Sequence, residues 1–302
     1  GVDLVAQDIS KPMKSQGAAI VEVNAGPGLL MHLKPATGEA RPVGQAIAAH
    51  LFAENSEPRI PVVGVIGQEN TTGTSHLIAW LLHLQGLQTG LSSAKGLFLG
   101  QRCLHAQSGM EWESAQRLLI NRSVEAAVFE TTARHLLSEG LPYDRCQVGV
   151  ITSMPKAEGL EDLYIHSDEQ MPNVVRTQMD VVLSHGMAVL NAEDDEVANL
   201  AQYCDGEVTY FASSEEHPRI VQHRSENGRV VFWRKNHLVL AQGAHEIEAL
   251  NRQLPAIDKV FKNKHLKCIE VLAASAAAWA LGIQTDLIRA GIKSFGQSPG
   301  AH

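Results

Sequence analysis

Residues 62–66 (Val-Val-Gly-Val-Ile) form an unbroken apolar run, and Leu77, Ile78, Leu81, Leu82 and Leu84 then recur at helical spacing. A short, continuous apolar run reads as a strand buried on both faces, and the following period predicts an amphipathic helix over 74–85. The alternation continues with a helix over 113–121, strands over 126–130 and 147–152, and a helical stretch. A strand over 187–191, a helix over 194–202 and a strand over 207–211 follow. Short apolar strands alternating with helices predict an α/β fold with a mostly parallel, doubly wound sheet. Beyond residue 211 the texture changes. Residues 219–250 carry an Asn227-Gly228 turn and predict an antiparallel ribbon region. An alanine-rich helix over 265–281 and a helix over 285–294 close the pattern.

The first 58 residues differ. The stretches GVDLVAQDIS and AAIVEVNAGPG read as two short strands separated by a polar turn with Lys11, Pro12 and Lys14. A polar segment over 53–59 reads as a linker. The expected organisation is a piece spanning 1–58 followed by a larger domain spanning 59–302. Neither an internal repeat nor a low-complexity tract interrupts it.

Composition narrows the function classes. The chain has 302 residues, 44% hydrophobic and 19% charged, an ordinary globular mixture. A formal charge of −8 argues against nucleic acid or an anionic membrane as the main partner. No apolar run approaches the ~20 residues of a membrane span. Cys103, Cys146, Cys204 and Cys268 are scattered without a CxxC pair, so they read as reduced, buried thiols of a cytoplasmic protein.

Candidate chemistry lies at two places. The strand at 62–66 feeds a turn and a helix start, the arrangement that presents backbone N–H groups and a helix dipole to phosphate. Such loops use a lysine to neutralise the β/γ oxygens. Gly67 and the hydroxyls of Thr71, Thr72, Thr74 and Ser75 are present, but Thr71 stands where the lysine belongs and the next lysine is Lys95. The pattern is that of a retired nucleotide site. The second place is Asp3 with Glu22 and Asn24. The latter pair, two residues apart on one strand, projects from one face, and hard oxygen ligands of this kind suit Mg²⁺ beside substrate phosphates. On spacing alone, a hairpin with solvated acidic residues is the better account.

A resemblance shifts that balance. The run from GVD to IVEVNAGPGLLMHLKP resembles the end of an ATP-grasp domain, in which an Asp and a later Glu-x-Asn hold the magnesium bridging ATP phosphates. With the junction SEPRIPVVGVIG and the segments ETTARHLLSEGLPYDRCQVGVIT, GMAVLNAEDDEV and AASAAAWALGI, nearly the whole chain resembles the cyanophycin synthetase family. In that family an ATP-grasp domain runs into a Mur-ligase-like domain. The resemblance implies ATP and Mg²⁺ as cofactors and Asp3, Glu22 and Asn24 as metal ligands. His32 and Lys34 follow the metal strand closely and are candidates for contact with ATP phosphate or acidic substrate. For the last two, a solvated loop is the even alternative.

Within the Mur-like part, the resemblance implies a loop lysine, magnesium ligands and a carbamylated lysine. The family's magnesium-binding Glu falls on Glu130, which is kept. The following Ala-Arg-Gly-Gly run becomes Ala133-Arg134-His135 in shifted register, and a later Asp-His pair falls on Ala157-Glu158. No lysine occurs between Lys156 and Lys235, the adenine-contacting asparagine falls on Glu270, and the C-terminal lobe of such ligases is expected to be missing. Residues 59–302 are therefore expected to be a degenerate, structural domain whose remnant site is Gly67, Thr71, Thr72 and Glu130. The implied type is the shortened second one, which joins β-aspartyl-arginine dipeptides into cyanophycin at one ATP-grasp site. The alternative is an active two-site synthetase, or a Mur- or folylpolyglutamate-type ligase adding free amino acids.

Other residues carry plainer expectations. The fourteen histidines lack ligand spacing, and the four tryptophans read as core or interface. The acidic run 193–196 reads as the first turn of a helix. Leu266, Ile269, Leu272, Trp279, Ile283, Ile288 and Phe295 are expected to leave an uncovered apolar surface, which a symmetric dimer would bury.

Overall fold

The structure, a computed structural model, describes residues 1–51, 59–262 and 266–296. The predicted linker therefore lies outside the described residues except for Arg59, as does His265, where the alanine-rich helix was expected to begin. The chain divides into two compact units, Gly1–Arg59 and Ile60–His302.

In the first unit, strands β1 (Val2–Val5) and β2 (Ala19–Val23) pair antiparallel and are followed by helices α1 (Leu30–Leu33) and α2 (Val43–Leu51). The connection between the strands is held by one amide. The Gln16 Nε2 donates to the carbonyls of Asp8 and Lys11, and its Oε1 accepts from the Asp8 N–H at 2.6 Å. Gln16 is buried by these contacts. The apolar side chains of both strands, among them Val2, Leu4, Ile20 and Val23, are half or more exposed.

The second unit opens with β3 (Val62–Ile66), α3 (Thr71–Leu84), β4 (Thr89–Ser93), β5 (Gly96–Leu99), β6 (Arg102–His105) and α4 (Trp112–Leu119). It continues with β7 (Ala126–Thr131), α5 (Ala133–Ser138), β8 (Cys146–Ile151), α6 (Met171–Asp180), β9 (Val182–Asn191), α7 (Asp195–Asn199) and β10 (Glu207–Ala212). It ends with α8 (Pro218–Ser225), β11 (Arg229–Arg234), β12 (His237–Gln242), β13 (His245–Asn251), α9 (Pro255–Lys262), α10 (Cys268–Ala280) and α11 (Thr285–Ser294). Among the described residues these strands form one sheet in the order β13-β12-β11-β10-β9-β8-β3-β7-β4-β5-β6. Its centre, β11 to β4, is parallel throughout. Antiparallel strands extend both edges.

Every residue of β3 is buried because helices cover both faces of the sheet. Val63 and Val65 point into a core shared with α3, α10 and α11, while Val62 and Ile66 point into the opposite core with α4, α6 and α8. Period-two alternation thus feeds two hydrophobic layers from one strand.

Three expectations are corrected. Asn227-Gly228 is not a hairpin turn. Residues 218–225 are helix α8, Asn227 takes a left-handed conformation (φ 65°) at its end, and β11 then pairs parallel to β10. The antiparallel ribbon is β11–β12–β13 instead, turning at Lys235 (φ 56°) and at Gly243 (φ 54°). Second, the closing helices are not uncovered. Leu266, Leu272, Ile283, Ile288 and Phe295 are buried, and Ile269 and Trp279 pack against the same core. Third, Cys103 is exposed, although Cys146 is buried and all four thiols are free.

Candidate functional site

Both predicted sites can be compared by what already satisfies their polar groups. In the first unit, Asp3 and Glu22 are direct cross-strand partners, and the ladder shifts register immediately after Asp3. Directly opposed residues project from the same face, so two carboxylates meet there, an arrangement that repels unless a cation lies between them. Asn24 joins them, its Nδ2 donating to Asp3 Oδ2 at 3.4 Å while its backbone N–H bonds the Gly1 carbonyl at 2.8 Å. Both carboxylates are exposed, and neither has a cationic partner among the described residues. Two open carboxylates and an amide oxygen on one face form a hard-oxygen donor set compatible with Mg²⁺. His32 lies in α1 and Lys34 caps it; both are exposed, and their side chains make no hydrogen bond or ion pair among the described residues. Among the described residues, no group of three or more His, Cys, Asp or Glu is placed to share a metal ion.

In the second unit, the turn after β3 is closed by its own neighbours. The N–H groups of Gln68 and Glu69, which such loops aim at phosphate, both donate to Ser153 Oγ at 3.0 Å. Thr152 Oγ1 donates to the Glu69 carbonyl at 2.5 Å, and Lys156 N–H bonds Gln68 Oε1 at 3.2 Å. This packing requires a glycine at position 67, since a Cβ there would sit 2.1 Å from Thr152 Oγ1. Asn70 adopts the left-handed region (φ 63°) before α3 begins at Thr71. Lys267 Nζ reaches its Oδ1 at 3.0 Å.

Glu130, at the end of β7, is buried and fully partnered. Its Oε1 accepts from Thr71 Oγ1 at 2.8 Å and Thr72 Oγ1 at 2.7 Å, and its Oε2 accepts from the Ala94 N–H at 2.9 Å. The structure therefore brings Gly67, Thr71, Thr72 and Glu130 together, but as a closed network. A second carboxylate, Glu270 of α10, lies against the first turn of α3. A Cβ on Gly73 would fall 2.4 Å from Glu270 Oε1. Burial raises the Glu270 carboxyl above its ordinary range, against the opposing pull of the Lys267 N–H and charge and of Lys95. An internal carboxylate thus occupies the helix start that would otherwise favour phosphate.

His76 stands one turn further along α3, its Nε2 3.0 Å from Ser93 Oγ. Burial, followed by the charge of Lys95, lowers its imidazole to about 4. Sequence reasoning passed over Ser153, Thr152, Ala94, Gly73 and Lys267. Only Gly73, a glycine in the first turn of an otherwise good helix, carried a readable signal.

No protein-family model matches the chain. A cyanophycin synthetase of Geminocystis herdmanii is 34% identical over 304 residues, which cover 100% of this chain and 34% of that protein. One of Synechocystis sp. is 32% identical, covering 98% of the chain and 34% of the relative. From end to end, the chain is homologous to part of the cyanophycin synthetases. It spans about a third of the length of these relatives. A UDP-N-acetylmuramyl-tripeptide synthetase of Deinococcus radiodurans is 28% identical over 84% of the chain and 49% of that protein.

Solved structures show the fold. A UDP-N-acetylmuramoyl-L-alanyl-D-glutamate–2,6-diaminopimelate ligase superposes with a TM-score of 0.56 at 14% identity, over 82% of this chain and 48% of that one. E. coli FolC in complex with DHPP and ADP superposes with a TM-score of 0.52 at 15% identity, over 79% and 57%. The fold is Mur-ligase-like. In this cyanophycin synthetase homologue, the Ala133-Arg134-His135 run forms the start of α5, where Thr132 Oγ1 accepts from the His135 N–H and Arg134 forms a fork with Asp162. The Ala157 N–H is taken by Asp168 Oδ1 at 2.7 Å. The acidic run 193–196 caps α7 through Asp194, which also accepts the Met154 N–H at 2.7 Å and so braces the segment bearing Ser153. Each of these groups is engaged in hydrogen bonds within the second unit.

Proposed function

We propose that the chain is part of an ATP-dependent amide ligase that joins β-aspartyl-arginine dipeptides into cyanophycin, of the shortened second type. Its chemistry resides in an ATP-grasp site to which the first unit contributes, while the Mur-like second unit is a scaffold. The carrying observation is the contrast in satisfaction. The loop N–H groups are held by Ser153 and Glu130 is held by Thr71, Thr72 and Ala94, whereas Asp3 and Glu22 are exposed, with only a 3.4 Å contact from Asn24 to Asp3 and no cationic partner among the described residues. Asp3, Glu22 and Asn24 would hold Mg²⁺, which when bound neutralises charge on the phosphates of ATP. His32 and Lys34, exposed just beyond that strand, would orient phosphate or an acidic chain end. The reaction so read is phosphorylation of a chain-end carboxylate followed by attack of the dipeptide amine.

Dipeptide use follows from having one live site. Two different amide bonds, aspartyl backbone and arginyl side-chain, each need their own activated carboxylate. The full-length enzyme given β-aspartyl-arginine, ATP and Mg²⁺ should yield polymer, and given free Asp and Arg it should yield none. Equal polymer from the free amino acids would return the second unit to catalysis. A dimer built through the second unit remains the proposed reason for its retention, and it would use a surface other than the buried faces of α10 and α11. No described helix is long and apolar enough to cross a membrane, in keeping with action in the cytoplasm.

A further inference from the structure

At the N-terminal ends of the parallel strands, the edge away from the Gly67 turn, the sheet borders a cavity of about 300 Å³. Gln147, Ser184, His185, Glu207, Arg229 and Ala280 are among its lining residues. The β8–β9 ladder shifts register between Cys146 and Val148. Gly186 and Gly206 make the bend possible, since a Cβ on Gly206 would lie 2.4 Å from the Gly186 carbonyl, and one on Gly186 2.6 Å from that of Gln147. Irregularities of this kind re-aim side chains, here bringing Ser184 and His185 to the cavity.

Arg229 sets the chemistry. Its guanidinium lies 5.0 Å from the Trp279 ring centroid, and its Nε is buried without a hydrogen-bond partner. Arg134, Arg224 and Arg234 all pair with carboxylates, whereas Arg229 has no ion pair among the described residues. A guanidinium fixed by stacking and lacking an anion is a ready bidentate carboxylate receptor. Glu207 adds the opposite sign. Arg229 pairs with Thr209 in the parallel β10–β11 ladder, so Glu207, two residues before Thr209, projects from the same face as Arg229. A dianion would be repelled there, while a zwitterion would satisfy both charges. The volume stands at the small end of ligand pockets.

We infer that this cavity binds a free α-amino acid, its carboxylate on Arg229 and its ammonium on Glu207. The inference rests on the second unit alone and is independent of the reaction proposed above. Isothermal titration of the chain with a panel of free amino acids, acetate and methylamine tests it. At least one amino acid should bind with a dissociation constant below about 1 mM, and neither acetate nor methylamine should match it. Arg229→Gln and Glu207→Gln should each weaken that affinity about tenfold or more, with circular dichroism and melting temperature unchanged. Should Arg229→Gln fail to fold, Arg229→Lys retains the charge over Trp279 and loses the fork, and the same weakening is expected. Absence of binding to any amino acid below about 10 mM, or undiminished affinity in the folded Arg229 variant, overturns the assignment.

Discussion

Two acidic constellations in this chain use the same residue types in opposite surroundings. Glu130 is buried at the end of a parallel strand, with three donors on its two oxygens. Asp3 and Glu22 face each other on an exposed two-stranded ladder, with only a 3.4 Å contact from Asn24. The first has spent its hydrogen-bonding capacity on its own fold. The second repels itself and stays open to a cation. A carboxylate's identity in the sequence therefore says little about its availability, and the availability follows from what surrounds it. The same contrast runs through packing: β3 is buried on both faces, while the apolar residues of β1 and β2 remain exposed.

The largest effect should come from the open constellation. On the proposed function, Glu22→Gln and Asn24→Ala in the full-length protein would remove oxygen ligands from the Mg²⁺ that would neutralise ATP phosphates, and each should lower turnover at least ~100-fold. Melting temperature should change little, since Glu22 is exposed and the Asn24 side chain makes only a 3.4 Å contact with Asp3. Near-normal turnover in both variants would reduce this face to a solvated hairpin and erase the comparison.

The closed region should instead reveal itself through stability, beginning with acid. His76, held neutral down to about 4 by burial and then by Lys95, has an ordinary value of 6.5. As pH falls through 6.5, the unfolded chain takes up a proton that the folded chain refuses until about pH 4. Stability from this group is therefore intact above pH 6.5, declines between 6.5 and 4, and levels off below. The full loss amounts to about 3 kcal/mol at most. Urea denaturation at pH 7, 5.5 and 4 should show a shallower decline in His76→Asn than in the parent. Parallel pH slopes would mean that His76 protonates freely in the folded state.

Glu130→Gln sharpens the contrast. The amide oxygen can still accept from Thr71 and Thr72, but its NH₂ would confront the Ala94 N–H, donor against donor. Loss of one charged, buried acceptor should cost about 1–3 kcal/mol of stability. If the proposed function holds, polymerisation by the full-length protein should stay within a few fold of the parent. A fall of two or more orders of magnitude in kcat with the fold intact would make Glu130 a working ligand.

What was legible in the sequence follows from the range of the interactions involved. The central strands β3, β7, β8, β9 and β10 were readable because burial on both faces leaves short apolar runs. Strands β4 to β6 were not. Thr-Gly-Leu-Ser-Ser carries polar residues and is fixed by pairing with the distant β7, while Arg-Cys-Leu-His is an exposed edge strand without an apolar run, paired only with its neighbour β5. Asn227-Gly228 misled because a left-handed residue serves a helix end as well as a hairpin. The missing loop lysine was visible at Thr71, yet the closure was not. Ser153 lies more than eighty residues from the N–H groups it accepts, and Glu270 reaches Gly73 from the far end of the chain. Only the fold brings them together.

Ser153 itself carries the smallest and most discriminating prediction. Ser153→Ala releases the Gln68 and Glu69 N–H groups to water at an exposed site, so it should cost no more than about 1 kcal/mol. The question is whether release restores a nucleotide site. Two freed donors supply partial positive charge, but Thr71 adds none, and the Glu270 carboxylate still lies at the start of α3. Phosphate would therefore meet a like charge without a compact cation to offset it. Calorimetric titration with ATP and Mg²⁺ should show no micromolar binding in the parent chain or in Ser153→Ala. The double variant Ser153→Ala with Thr71→Lys asks the same question with the charge restored, and Glu270 should still hold its affinity weak. Micromolar binding in the single serine variant would mean that one hydroxyl masks a competent site, and the closed constellation would then be a gated one.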